Sequence, residues 1–154
     1  MAFSVAAGTL LKISAGVPAT FDAAGYAALT FTTVGEINDI QPFGSKWGTS
    51  ANTPLALRGK QLKKTGRDPG TLSASLKLDT DNAGQILCKA ARDSATAIYA
   101  ASVTTPNGDI YYCQVVVTEF TVTIGSQSSD QTANFVGAVT TSSTDVDWVE
   151  SLAA

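Results

Sequence analysis

Alternation of apolar and polar residues with a period of two dominates the chain and predicts β-strands. In residues 71–78 four apolar side chains alternate with Ser73, Ser75 and Lys77, which is typical of a strand that buries one face. Segments rich in β-branched and aromatic residues predict further strands over residues 9–15, 29–37, 119–124 and 133–140. The pattern therefore predicts a mainly β protein.

One segment has the helical period instead. Residues 81–94 place apolar side chains three and four positions apart, and the expected buried face carries Ala83, Ile86, Leu87, Ala90 and Ser94. Thr80 or Asp81 is the expected N-cap, because a short polar side chain accepts hydrogen bonds from free backbone N–H groups there. A weaker helical turn is expected within residues 21–29. The expected architecture is a β-sandwich or barrel flanked by one α-helix.

The strongest local signal is a β-hairpin over residues 97–118. Asn107-Gly108 between two strand-like segments favours a two-residue type I′ turn, in which both residues take positive φ. That register places Val103 opposite Tyr112 and Tyr99 opposite Val116, on one shared face. The other face carries a second apolar set, namely Ile98, Ala100, Cys113, Val115 and Val117. Since both faces are apolar, we expect the helix or a neighbouring subunit to cover the second one.

Residues 41–70 form an unusual segment that is rich in Pro and Gly and holds six of the ten basic residues. No acidic residue lies between Asp39 and Asp68. Long loops in compact domains are usually functional or disordered, and residues 55–60 fit a strand of a protruding hairpin. Contact with an acidic protein surface, contact with nucleic-acid phosphates and a solvated loop all agree with the charge. Aromatic residues within the segment favour a contact surface.

Composition narrows the possible chemistry. The chain has 154 residues, 44% hydrophobic and 15% charged, so we expect one folded domain and not a disordered chain. It contains no His, which excludes Ser-His-Asp and Cys-His catalysis and His-ligated zinc or haem. Its two cysteines, Cys88 and Cys113, are expected to be free, buried thiols. We therefore expect no enzyme, no cofactor and no metal site.

Charge and hydropathy disfavour further classes. The formal net charge of −3 disfavours a protein that wraps nucleic acid with a basic face. No apolar run approaches the ~20 residues of a membrane helix, and the start of the chain lacks the basic region of a signal peptide. Residues 79–82 resemble the start of a calcium loop only faintly, so helix capping is the favoured interpretation. Tyr111 and Tyr112 suit either carbohydrate stacking or strand packing.

Four segments together resemble one protein family. They are KISAGVPATFDAAGYAALTFTTVGEINDI from Lys12, LKKTGRDPG from Leu62, LKLDTDNAGQILCKAA from Leu76 and TPNGDIYY from Thr105. Over residues 12–120 the chain is similar to the major tail tube proteins of long-tailed, non-contractile bacteriophages. The most specific part is PATFDAAGYAAL followed by VGEI, and the DNAGQILCKAA part is the next most specific.

The resemblance implies a phage tail tube fold, a β-sandwich flanked by a helix, in hexameric rings that stack into a hollow tail tube. Tubes of contractile tails and of the type VI secretion system share this architecture. Phage DNA passes through the lumen without specific binding. Within a single domain of residues 1–154, the segments implied to reach neighbouring rings are an N-terminal arm of residues 1–8, the long loop of residues 41–70 and a C-terminal arm of residues 141–154.

The resemblance also implies partners and a location. The partners are further copies of the chain and the tape measure, tail terminator and tail tip proteins, with no membrane. The location is the virion tail, after assembly in the bacterial cytoplasm. The alternative function is a carbohydrate- or cell-surface-binding β-sandwich module, which would stay monomeric and bind to a glycan column.

Two sets of residues are the candidate assembly sites. The expected inter-ring contacts are Phe43, Lys46, Trp47, Arg58, Lys60, Lys63, Lys64 and Arg67. The expected inter-subunit sheet residues are Tyr99, Val103, Tyr112 and Val116. A basic loop that meets an otherwise acidic neighbour would give complementary charge along the tube.

Overall fold

A computed structural model describes Phe3 and residues 5–153, so Met1, Ala2 and Ser4 of the expected N-terminal arm and Ala154 of the C-terminal arm lie outside the described residues. The strands are β1 (Leu10–Ser14), β2 (Thr32–Val34), β3 (Ile37–Ile40), β4 (Lys46–Asn52), β5 (Gln61–Asp68), β6 (Thr71–Lys77), β7 (Tyr99–Thr104), β8 (Ile110–Thr123), β9 (Thr132–Thr140) and β10 (Trp148–Ser151). The helices are α1 (Ala23–Ala27) and α2 (Ala83–Asp93). The expected mainly β fold with one substantial helix is confirmed.

Eight of these strands form one antiparallel sheet. Its order is β2-β1-β7-β8-β9-β6-β3. The long strand β8 pairs along one edge with β10 through residues 110–113 and then with β9 through residues 114–123. A bulge after Val117 interrupts the β8–β9 register, and bulges of this kind bend and twist a strand. Among the described residues, the remaining two strands, β4 and β5, pair only with each other and form a separate ribbon.

The main core lies on one face of the sheet, beneath α2. Leu72, Ala74 and Leu76 of β6 are buried in it, as their alternation predicts. Other large members come from strands β1, β8 and β9, namely Leu11, Ile13, Val115, Phe120 and Phe135. Burial of such side chains contributes about 1.5–3 kcal/mol each, which makes this layer the principal source of stability.

Helix α2 exists as predicted, but it is capped and rotated differently. Asn82, and not Thr80 or Asp81, is the N-cap, and its side chain accepts from the backbone N–H of Gln85. The fully buried face carries Gly84, Gln85, Cys88 and Ala91; of the expected set, Leu87 packs partly buried against the main core, whereas Ile86 is 51% exposed. The reason is a close approach at Gly84, where an added Cβ would lie 2.3 Å from the carbonyl oxygen of Thr33 in β2.

The β7–β8 hairpin is confirmed, but its predicted register is wrong by one residue. Val103 pairs with Tyr111 and Tyr99 with Val115. The loop has three residues, because Thr105 and Asp109 close it and the N–H of Gly108 donates to the carbonyl of Thr105. Pro and Asn fill the centre of an ordinary turn, and only Gly108 takes positive φ, at +93°.

This register separates the four residues expected to share one face. Tyr99 and Val103 pack with the main core, whereas Tyr112 and Val116 lie on the opposite face. Over Tyr112 that second face is covered within the chain: the ring of Tyr26 from α1 stacks on it at 5.2 Å. The prediction of a common face for Tyr99, Val103, Tyr112 and Val116 is therefore wrong, because a register shift of one residue turns Tyr112 and Val116 to the opposite face.

The structure also tests the strand expected over residues 29–37 and the state of the two cysteines. The strand expected over residues 29–37 is split into β2 and β3 at Gly35-Glu36, where Glu36 takes a φ of +63°. Cys88 and Cys113 are free and buried, as predicted. Burial raises the pKa of the Cys88 thiol to about 12 and also raises that of Cys113.

Candidate assembly surface

Residues 46–68, called the arm below, form a ribbon that stands away from the sheet. Every residue of β4 is exposed, and so are seven of the eight residues of β5. Residues 53–60 form the tip of the arm, with Leu55 fully exposed and Leu57 half exposed. A protruding hairpin is thus present, although residues 55–60 belong to its tip and not to a strand.

The two faces of the arm differ in chemistry. The paired residues Ala51 and Leu62 lie on the same face as Trp47 and Lys64, whose ammonium is 5.1 Å from the Trp47 ring centre. Lys63, paired with Ser50, points to the opposite face because side chains alternate along a strand. One face therefore combines apolar surface with positive charge, and the other is polar.

An isolated ribbon of this kind is an unusual element in a folded protein. Two-stranded hairpins are at best marginally stable in water, and exposed strand edges readily pair with other chains. Trp47 is 47% exposed and Leu62 is 58% exposed, so the arm presents apolar area that nothing in the described chain covers. These properties are typical of a segment that docks on another protein surface.

The base of the arm is fixed by a buried carboxylate. The Asp147 side chain is only 3% exposed. It accepts hydrogen bonds from the Nε of Arg67, from the Oγ of Ser45 at 3.2 Å and from the Oγ1 of Thr141 at 2.6 Å. Burial acts to raise the pKa of Asp147, but the bonds from Arg67, Thr141 and Ser45 outweigh it and hold this pKa below its ordinary value.

Aromatic rings complete the base. Phe43 stacks on Trp148 with ring centres 4.9 Å apart and meets Tyr111 edge-on at 5.5 Å. The Nε1 of Trp148 donates to the carbonyl of Pro69 at 2.9 Å. Of the expected inter-ring residues, Phe43 and Arg67 are therefore engaged within the chain, whereas the other six lie together on the exposed arm.

Charge is unevenly divided along the molecule. The arm holds six basic residues and one acid, a net charge of +5, while the rest of the chain holds four basic residues and 12 acids, a net charge of −8. The arm leaves the sheet at the end where β6 begins. Glu36, Asp79 and Asp81 lie at the other end, called the far end below, where β6 stops at Lys77. The length of β6 separates these ends by about 20 Å.

The geometry gives little support to carbohydrate stacking, metal binding or a membrane-spanning helix. Tyr112 is buried beneath Tyr26 and Tyr111 packs on Phe43, so the adjacent tyrosines do not form an open stacking platform. Within Phe3 and residues 5–153, no cluster of three or more His, Cys, Asp or Glu side chains is placed to hold a metal ion. None of the helices in that part of the chain is long and apolar enough to span a membrane.

Sequence comparisons give no relatives, since no protein-family model and no curated protein matches the chain. Solved structures do share its fold. One is the tail of an empty GTA particle with C6 symmetry, 15% identical with a TM-score of 0.59, where the match covers 94% of this chain and 95% of that one. Another is the six-fold symmetrised baseplate of the anti-feeding prophage, 7% identical with a TM-score of 0.69, covering 98% and 97%.

A third similar structure is the phage p2 baseplate in its activated conformation with Sr. It is 11% identical with a TM-score of 0.58, and the match covers 91% of this chain but only 45% of that one. At such identities the likeness extends to the fold alone. The chain therefore has a fold that also occurs in a particle tail and in baseplates.

Proposed function

We propose that this chain is a structural subunit of a phage tail tube, and not an enzyme. Six copies close a ring, and rings stack into a hollow tube of the virion. The observation that carries the proposal is the exposed arm, which projects a mixed apolar and cationic face from a fold found in tail and baseplate proteins. The six-fold symmetry is taken from the assemblies with which the fold is shared.

Contacts within a ring involve the edges of the sheet in this proposal. Strands β2 and β3 are the two ends of the sheet order, so within the part of the chain that the structure describes each has one unpaired edge. In a closed ring, edges of adjacent subunits cover one another, which removes the hazard of open edges. Val103 and Tyr112 are buried within the subunit and contribute indirectly, whereas Val116 is 39% exposed and is available for contact.

Contacts between rings join opposite ends of the subunit. The basic arm leaves one end of the sheet, and the acidic residues Glu36, Asp79 and Asp81 lie at the far end. An interface between two different surfaces of identical subunits is head to tail, and it propagates along an axis wherever its repeated rotation does not close a ring. Complementary charge would fix the direction of stacking and accelerate the addition of each ring.

The remaining features of the proposal follow from a tube. DNA passes through the lumen without specific binding, in keeping with the net charge of −8 outside the arm. Tape measure, tail terminator and tail tip proteins are the proposed partners, and assembly takes place in the bacterial cytoplasm. Free buried thiols at Cys88 and Cys113 agree with a reducing compartment.

Electron microscopy of an arm-shortened variant tests the proposal. Ser50 pairs with Lys63, so residues 51–62 are replaced by Asn-Gly to close a two-residue hairpin at that pair. Concentrated native protein, alone or with a tail tip complex as initiator, should form tubes, and the folded variant should stop at rings or single subunits. Native protein that stays monomeric in both conditions would contradict the proposed function.

A further inference from the structure

We propose that Asp147 is a positioning residue that locks the direction of the arm relative to the sheet. The role of the arm in stacking rings rests on the proposed function, whereas the lock between Asp147 and the arm is a property of the single subunit. No residue from 46 to 66 is buried, so the direction of the ribbon must be set at its base.

Both connections between arm and sheet contain a glycine in a conformation that other residues rarely adopt. Gly44 precedes β4 with a φ of +136°, and Gly70 follows β5 with a φ of +82°. The two glycines face each other, since an added Cβ on Gly70 would lie 2.7 Å from the carbonyl oxygen of Gly44. Paired glycines at the root of a ribbon form a hinge, because glycine has the widest choice of backbone conformations.

The Asp147 carboxylate bridges the two strands next to this hinge. Ser45, directly after Gly44, donates to one carboxylate oxygen, and Arg67 of β5 donates to the same carboxylate. The fixed planar fork of Arg67 also reaches the side chain and the backbone carbonyl of Asp145, both at 2.8 Å. One buried group therefore holds both strands of the arm at a single angle.

The segment that carries Asp147 is itself rigid. Ser142 closes a tight turn by accepting at its Oγ from the backbone N–H groups of Thr144 and Val146, and Asp145 takes a φ of +63° there. Beyond the turn, β10 pairs with β8 in the centre of the sheet. The lock thus connects the arm to the sheet through the C-terminal strand.

Distances between two spin labels test the lock directly. The labels are attached at Ser50→Cys on the arm and Thr121→Cys on β8, both exposed positions, while both native thiols are buried. The native background should give one narrow distance distribution. Asp147→Ala should at least double its width, because the hinge is released while the sheet remains intact by circular dichroism.

Two further variants keep the test decisive. Asp130→Ala removes the exposed Lys77–Asp130 pair at the far end of the sheet, and it should keep the narrow distribution. If Asp147→Ala fails to fold, Arg67→Gln replaces it, because the Arg67 side chain is partly exposed and lies outside the main core, so that its loss acts on the base of the arm by removing the charged partner of Asp147. A folded Asp147→Ala or Arg67→Gln protein with the native width would overturn the lock, as would equal broadening in Asp130→Ala.

Assembly is measured separately on the same variants without labels. With a released arm, each ring addition must first order the hinge, so tubes should grow at least tenfold more slowly than native tubes. Failure of the native protein to assemble would contradict the proposed function, but the spin-label distances would still test the lock. A broad distribution with native growth rates would retain the lock as a feature of the subunit and overturn its role in stacking.

Discussion

Reversing three lysines of the arm should prevent stacking while leaving the subunit folded. Lys60, Lys63 and Lys64 are exposed, and none forms an ion pair among the described residues. Replacing all three by Glu changes the net charge of the arm from +5 to −1, while the net charge of the rest of the chain stays at −8. Attraction between the arm and the next subunit then becomes repulsion.

The number of copies determines the size of the effect. One exposed ion pair contributes about 0.3 kcal/mol at the low end of measured values. If the ring has the six subunits proposed above, three such lysines in each subunit sum to about 5 kcal/mol per ring interface. Since 1.4 kcal/mol is a tenfold change, the concentration needed for stacking should rise by roughly three powers of ten or more.

Sedimentation measures the assembled fraction at fixed ionic strength, with circular dichroism to confirm folding. The matched control reverses three lysines of the body, Lys12, Lys77 and Lys89, which gives the same change in total charge. That control should still assemble, because it leaves the arm basic and makes the rest of the subunit more acidic. Added salt should weaken native assembly, since mobile ions screen exposed charges.

The result that would refute this reasoning is specific. If the arm-reversed protein is folded and forms tubes of normal length at normal concentration, charge on the arm does not drive stacking. The apolar face with Trp47 and Leu62 would then be the source of the contact. Equal loss of assembly in the body-reversed control would mean that total charge, and not its position, controls association.

Three further predictions concern the subunit itself. The buried Gln85 side chain satisfies three backbone groups, so Gln85→Leu should lower the unfolding free energy in urea by about 2–4 kcal/mol, whereas the exposed Gln127→Leu should change little. Intact mass after alkylation without reductant should show no label on Cys88 or Cys113 until the protein is denatured, and a mass two units low would reveal a disulfide instead. Because the pKa of Asp147 is lowered in the native state, its ionised carboxylate contributes to the unfolding free energy near neutral pH, and this contribution is lost as pH falls from 3.8 through the native pKa. The difference in unfolding free energy between native protein and Asp147→Asn should therefore disappear in acid. A difference that does not change with pH would contradict the lowered pKa.

Hydrophobic periodicity and turn residues predicted where helices and strands occur better than they predicted which residues these elements bring into contact. Strand β6 and helix α2 are long periodic segments, and both occur where the periodicity indicates. The predicted buried face of α2 was wrong except at Leu87, because hydrophobic periodicity takes no account of glycine, whereas in the fold Gly84 allows a close approach to β2. The hairpin register was wrong because Asn-Gly occurs in loops of two and of three residues, and here Pro106 fits the first central position of an ordinary turn.

The alternation of apolar and polar residues did not predict strands β4 and β5 of the arm, for a related reason. Alternation arises when one face of a strand is buried, but β4 and β5 have no buried face within the chain. Their composition nevertheless indicated a contact segment, through basic residues next to Trp47. The shape of the arm follows from pairing between residues 46–52 and 61–68, which charge alone does not specify.

The base of the arm was the part that local reasoning missed. Asp147 lies in an acidic C-terminal segment that resembles a solvated tail, and its partner Arg67 is 80 residues away. In the sequence, Arg67 is one of six equivalent basic residues, yet in the fold it is bound at the hinge, whereas the lysines of the arm form no ion pair among the described residues. Reversal of Arg67 would therefore leave a buried carboxylate unpaired and disturb the base itself. For this reason Lys60, Lys63 and Lys64 test the contact of the arm, whereas Arg67 and Asp147 test its direction.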